Sequence, residues 1–212
     1  MSRRSSSTKR PPRALQVPGA TEESAVSWRL KGTHAGVMSA EIQVDISKLP
    51  VPERQYSADV ADLEVDDDFL MFAFGQRTLL ARNQPRFPRS VVVVSVPAEA
   101  IRRFIASCSS VQFDETLEAF IRRNQIMPQP LTRIVEAPQA VSLNASIIGV
   151  AFSGREASMD FYYLSPTYIH RLRSGRPPIV DPVVRVVLRT SLLASLVPRV
   201  LELCDELPQE AQ

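Results

Sequence analysis

The feature that most restricts this 212-residue chain is a strand–helix junction written twice. It reads "RSVVVVSVPAEAIRRFIASC" in the middle and "DPVVRVVLRTSLLASLVPRVLELC" near the end. Each copy begins with a Val-rich run that is apolar on both faces, as a central strand is. Each then places apolar residues at i, i+3, i+4 and i+7, one face of an amphipathic helix. A shift of 92 positions lays Ile101 on Leu193, Phe104 on Leu196, Ile105 on Val197 and Cys108 on Val200. Any two helical stripes can be made to coincide, but the order of elements around them is a stronger sign of internal repetition.

That order recurs. Residues 25–30 read as a short first strand. "EIQVDI" (41–46) alternates with period two and predicts a half-buried strand. "ADVADLEV" (58–65) and "FLMFAFGQ" (69–76) predict a hairpin around Asp66, Asp67 and Asp68, whose side chains favour reversals. An Arg/Pro-rich loop leads to a strand over 90–96 and a helix opened by Pro97, whose missing N–H is harmless in a first turn. A short second helix follows, with Asp114 as its N-cap and Leu117, Phe120 and Ile121 as its stripe.

In the second half "LTRIVEA" (131–137) takes the role of 41–46. "NASIIGVAFS" (144–153) and "MDFYYL" (159–164) form the hairpin around Gly154, Arg155 and Glu156. A second Arg/Pro loop, a strand over 183–188 and a helix over 191–207 close the chain. The expected fold is α+β: two tandem antiparallel strand-meander-plus-helix repeats forming a pseudo-twofold domain. The first repeat spans 24–130 and the second 131–212. Before them, 1–23 is a basic Ser/Arg/Pro tail too poor in apolar residues to order itself.

The meander closed by a helix entered through "SVPAEAIRRFI" resembles a small uncharacterised bacterial family of βββα domains. The tandem arrangement over roughly 41–207 is similar in pattern to the fold of the SecB export chaperone. That resemblance implies peptide or protein binding in apolar grooves, oligomerisation through sheet edges, and no catalysis.

Composition narrows the function classes. The chain carries 25 Lys and Arg against 23 Asp and Glu, and five of the basic residues (Arg3, Arg4, Lys9, Arg10, Arg13) lie in the first thirteen positions. The remainder holds 20 basic against 23 acidic residues, a net −3, so the pI of 8.7 belongs to the tail. A basic nucleic-acid-binding body is not indicated. No apolar run is long enough to span a bilayer and no secretory signal is visible, which predicts a cytoplasmic protein. Cys108 and Cys204 have no metal or redox spacing and sit on predicted apolar helix faces, as buried thiols do.

Catalysis finds no support in the pattern. His34 and His170 are far apart, seven glycines leave no phosphate-cradling loop, and no nucleophile or metalloprotease motif occurs. No cofactor is expected. The acidic positions Asp59, Asp62, Glu64, Asp66, Asp67 and Asp68 read as the wet face of a strand plus a turn, without calcium-loop spacing.

Two features point toward a partner. Both long loops are rich in arginine, with Arg77, Arg82, Arg86 and Arg89 in the first and His170, Arg171, Arg173 and Arg176 in the second. Guanidinium forks suit carboxylate or phosphate surfaces. The hairpins also have two faces: Phe72, Phe74, Phe161 and Tyr163 are expected in the core. Phe69, Met71, Tyr162 and Leu164 are then left for an interface, because a few helices cannot cover both faces. The expectation is a non-enzymatic protein-binding module, binding another protein or itself, an adaptor, chaperone-like factor or assembly component. The alternative is a nucleic-acid-associated protein working through the tail and the Arg loops.

Overall fold

The computed structural model describes residues 27–34, 37–45, 48–77, 88–110, 112–134, 139–165, 167, 171 and 179–207, the first two stretches as backbone only. Their order is β1 (Ser27–His34), β2 (Val37–Asp45), β3 (Gln55–Ser57), β4 (Val60–Asp66), β5 (Phe69–Gln76), β6 (Arg89–Pro97), α1 (Ala98–Ser110) and α2 (Phe113–Arg123). There follow β7 (Val141–Asn144), β8 (Ile147–Ser153), β9 (Glu156–Leu164), β10 (Val180–Arg189) and α3 (Thr190–Cys204). The chain is α+β, with a β1–β2 hairpin and two four-stranded sheets, ordered β4-β5-β6-β7 and β3-β10-β9-β8.

Both larger sheets are mixed rather than purely antiparallel. β4–β5–β6 and β8–β9–β10 are antiparallel meanders, as the hairpin signals require. Each meander then gains a short parallel strand beside its last member. β7 joins β6, and β3 joins β10. The strand before each meander is thus contributed to the opposite sheet.

The pairings of the two sheets match position by position. Val60 faces Gly75 in one hairpin and Ile147 faces Tyr162 in the other, a shift of 87 on both strands. Leu70 faces Val96 and Ala157 faces Leu188, a shift of 87 on one strand and 92 on the next. Each third strand skips one residue at a bulge, Val91 in β6 and Val183 in β10, again 92 apart. The turns correspond too: Asp67 (φ 47°) and Gly154 (φ 60°) both adopt the left-handed conformation of a tight reversal. Ala98 N–H bonds to Asp68 O at 2.8 Å, and Thr190 N–H to Arg155 O at 3.0 Å, so each helix start is tied to its own turn.

One core joins the two sheets and the helices. Phe72 and Phe74 meet Phe161 of the other sheet edge to face, with ring centroids 5.6 and 6.0 Å apart. Helix α1 lies against β5 and β6 and also against β8, while α3 lies against β9 and β10 and also against β4. α3 buries Leu192, Leu193, Leu196, Val197, Val200 and Leu203, a broad face that its double contact explains. Pro198 interrupts the hydrogen-bond ladder of α3 on its exposed side. Each fully buried large side chain contributes about 1.5–3 kcal/mol.

Several local expectations need correction. Of the strand expected over 131–137, residues 131–134 are not in a strand and 135–137 lie outside the described residues; the strand ahead of the second meander is β7, and the one ahead of the first is β3 rather than the segment 41–46. Strands of three or four residues carry too little periodicity to declare themselves. Pro97 ends β6 and α1 starts at Ala98. Asp114 is not the N-cap of α2: Gln112 holds that position at φ 50°, and Asp114 lies in the first turn, where its charge suits the helix dipole. Its Oδ1 is buried without a partner among the described residues, and burial raises its pKa.

Candidate partner-binding surface

Burial along the hairpins departs from simple alternation in the second of them. Phe72, Phe74 and Phe161 are buried in the core as expected. Tyr162, on the same outer face as Asp160, and Leu164 are buried, and Tyr163, expected inside, is 37 % exposed. Phe69 is 39 % exposed at the turn end of β5, and Met71 is half-buried two residues on. Of the four outward candidates, Phe69 and Met71 therefore offer apolar surface, both on the outer face of the β4–β7 sheet.

That face contains a cleft of about 80 Å3 lined by Asp62, Glu64, Met71, Ala73, Val93 and Ile134, with Ser90 beside them. Its walls follow from local geometry. Residues 129–134 run back over the sheet: Gln129 Nε2 donates to Asp59 O at 2.6 Å, Thr132 N–H bonds to Ala61 O at 3.1 Å, and Ile134 N–H bonds to Asp62 Oδ2 at 3.0 Å. Ile134 then settles over Gly75. A Cβ at position 75 would lie 2.6 Å from Arg89 O and 3.2 Å from Ile134 Cδ1, so glycine is required by close approach. Asp62 also accepts Leu63 N–H through Oδ1 at 3.0 Å.

The outer face of the other sheet is closed. Arg185 Nε donates to Asp160 Oδ1 at 2.6 Å and Nη2 to Oδ2 at 2.5 Å, a bidentate pair between cross-strand neighbours. Asp160 is buried, and Tyr162 packs beside the pair. Burial chiefly, with the Asp160 charge adding to it, pushes the Tyr162 phenol up to about 12. The hydrogen bond to Asp160 raises Arg185 further above its ordinary range. Sequence reading passed over this pair, although its signal was present: one acid interrupts "MDFYYL" and one base interrupts "VVRVVL".

The arginine loops are only partly described. Arg77 and Arg89 are exposed at the same end of the β4–β7 sheet, Arg89 opposite Gln76 and Arg77 with its N–H on Asp59 Oδ1 at 2.8 Å. Arg171 is half-buried, and its N–H bonds to Thr167 O at 3.1 Å. Arg82, Arg86, His170, Arg173 and Arg176 lie outside the described residues, as do Arg3, Arg4, Lys9, Arg10 and Arg13.

Other reactive groups are held quiet. Burial, aided by the nearby Asp114 carboxylate, pushes the Cys108 thiol up to about 12, and burial also raises Cys204. Among the described residues no three His, Cys, Asp or Glu side chains converge on a metal position, and no helix is long and apolar enough to cross a membrane. Compared with protein-family models, curated proteins and solved structures, the chain matches none of them.

Proposed function

We propose that this chain is a tandem duplication of one strand-meander-plus-helix unit about a pseudo-twofold axis, and that it works as a non-enzymatic, cytoplasmic protein-binding module. The matched registers, bulges and turns support the duplication, as does the reciprocal loan of β3 and β7. On this reading the unit boundaries fall near residue 24 and between α2 and β7. A SecB-like mode of binding is part of this proposal and rests on the layout of strand meanders backed by helices alone.

The observation that carries the binding role is the inequality of the two outer faces. Evolution of one has filled it with a closed ion pair, whereas the other keeps a cleft with Phe69 and Met71 beside it. An exposed aromatic and a methionine beside a concave surface are apolar anchors of the kind interfaces use. Arg77 and Arg89 at one end supply forks for a partner's carboxylates.

The test is co-purification at low salt with the wild type and with Phe69→Asp/Met71→Asp. The reading expects a stoichiometric protein partner that the double variant loses while its circular dichroism is unchanged. Equal recovery by both proteins would remove this face as the site. A nucleic-acid-like absorbance ratio that vanishes at high salt would favour the tail-and-loop alternative instead.

A further inference from the structure

Helix α2 stands apart from the other two helices. α1 and α3 occupy matching places after β6 and β10, whereas α2 follows α1 and no described element corresponds to it after α3. It is lightly held. Only Phe113 and Leu117 of α2 are buried, and a left-handed glutamine lies at each end, Gln112 at φ 50° and Gln125 at φ 51°. That conformation is unfavourable for a residue with a Cβ. The aromatic contact of α2 is with β8, where Phe113 and Phe120 meet Phe152 edge to face, with ring centroids 5.8 and 5.0 Å apart.

One group opposes this contact. Asp114 follows Phe113 in the first turn, and its Oδ1 is buried with no hydrogen-bond partner among the described residues. The charged groups of the elements packed on α2 are engaged elsewhere or are themselves acids. On α1 the near group is the Cys108 thiol, while Arg102 donates to Leu207 O and Arg103 pairs with Glu99. On α3, Arg199 pairs with Glu202, and Cys204 and Asp205 complete the titratable set. β8 has no ionisable side chain. α2 itself adds Glu115, Glu118 and two arginines in its last turn, of which Arg122 pairs with Glu118. A carboxylate with a buried, unpaired oxygen is penalised for lost hydration far more than a neutral carboxyl is. The helix dipole favours the anion at this position, but burial, and after it the Glu118 charge, raise the Asp114 pKa overall.

We propose that α2 is a pH-responsive clasp: it closes on Phe152 when the Asp114 carboxyl is protonated, and ionisation of that carboxyl shifts it toward release, uncovering the aromatic side chain on β8. The sign follows from the burial. With α2 released, Asp114 ionises near the ordinary value of 3.8, and with α2 docked it ionises higher. Docking therefore weakens as pH rises from the ordinary value through the raised one, and is constant above it. The clasp is separate from the β4–β7 face, because β8 lies in the other sheet.

Amide hydrogen exchange of the full chain tests the clasp, read as protection of α2 relative to α1 and α3 in the wild type and in Asp114→Asn, which keeps the shape and removes the charge. At about pH 7 the α2 amides of the variant should be several-fold better protected than those of the wild type, and at about pH 4 the two should nearly coincide. Glu118→Gln should close part of the gap at the higher pH, and Glu115→Gln, which removes an exposed acid from the first turn, should not. Equal α2 protection at both pH values overturns the inference. So does a gap of the same size at both, which would make the effect one of shape, and so does weaker protection of the variant at the higher pH, which would make the anion a stabilising cap. If Asp114→Asn fails to fold, carboxyl-carbon NMR of the wild type replaces it: Asp114 should titrate above the ordinary aspartate value, and a midpoint at or below that value overturns the inference.

Discussion

The ion pair on the closed face gives the most discriminating stability prediction. Arg185→Val leaves the Asp160 carboxylate buried, with Tyr162 as its remaining neighbour. Breaking a buried pair by removing one partner costs about 3–5 kcal/mol, and the quarter exposure of the Arg185 side chain places this case at the low end, about 3 kcal/mol. For a chain of this length each kcal/mol lowers Tm by about 2–4 °C, so a fall of about 6–12 °C is expected. The double change Asp160→Ala/Arg185→Val installs the residues that the β4–β7 sheet carries at the corresponding register positions, Ala73 and Val93. It removes the stranded charge and should recover all but about 1 kcal/mol, the remainder reflecting the acceptor lost to the Tyr162 hydroxyl. Thermal and urea unfolding of wild type, both single variants and the double variant complete a cycle. A double variant as unstable as the sum of its singles would refute both the energetic argument and the equivalence of these register positions.

Four further outcomes follow from named contacts. Cys108, with its thiol near 12, should resist iodoacetamide at pH 8 in the native protein and react on denaturation; rapid native labelling would contradict its burial. Tyr162 ionises near 12 when folded and near 10 when unfolded, so the stability it contributes is intact below pH 10 and lost as pH rises toward 12. Urea midpoints and absorbance at 295 nm across that range check the sign, and a flat profile would oppose it. Gly75→Ala should cost about 1–3 kcal/mol because its Cβ collides with the Arg89 carbonyl; a neutral result would mean that the bulge yields easily. Ile101→Ala and Leu193→Ala, which occupy matching buried positions in α1 and α3, should each cost about 2–5 kcal/mol in the same assay, and a cost below 1 kcal/mol for either would deny it a place in the core.

What could be read beforehand divides along physical lines. The hairpins, the two strand–helix junctions and the 92-residue spacing were legible because hydrophobic period and turn residues are local signals. Phe72, Phe74 and Phe161 were legible as core for the same reason. β3 and β7 were not, since three or four residues define a strand only through the partner they meet, and each meets it in the opposite sheet. Tyr162 and Leu164 were expected exposed and Tyr163 buried, and the reverse holds, because alternation alone does not announce a strand covered on both faces, as Met159 to Tyr162 are. The cleft was invisible for a related reason. It exists through the return of Ile134 over Gly75, a contact between residues far apart in sequence that no motif announces.

On the proposed reading a protein partner docks on the outer face of the β4–β7 sheet. Amide hydrogen exchange on the co-purified complex, compared with the free chain, tests it most directly. Slowed exchange confined to β4, β5 and the segment 131–134, with the closed β8–β10 face unchanged, is the predicted result. Protection confined to the β8–β10 face, or none on β4 and β5, would contradict it.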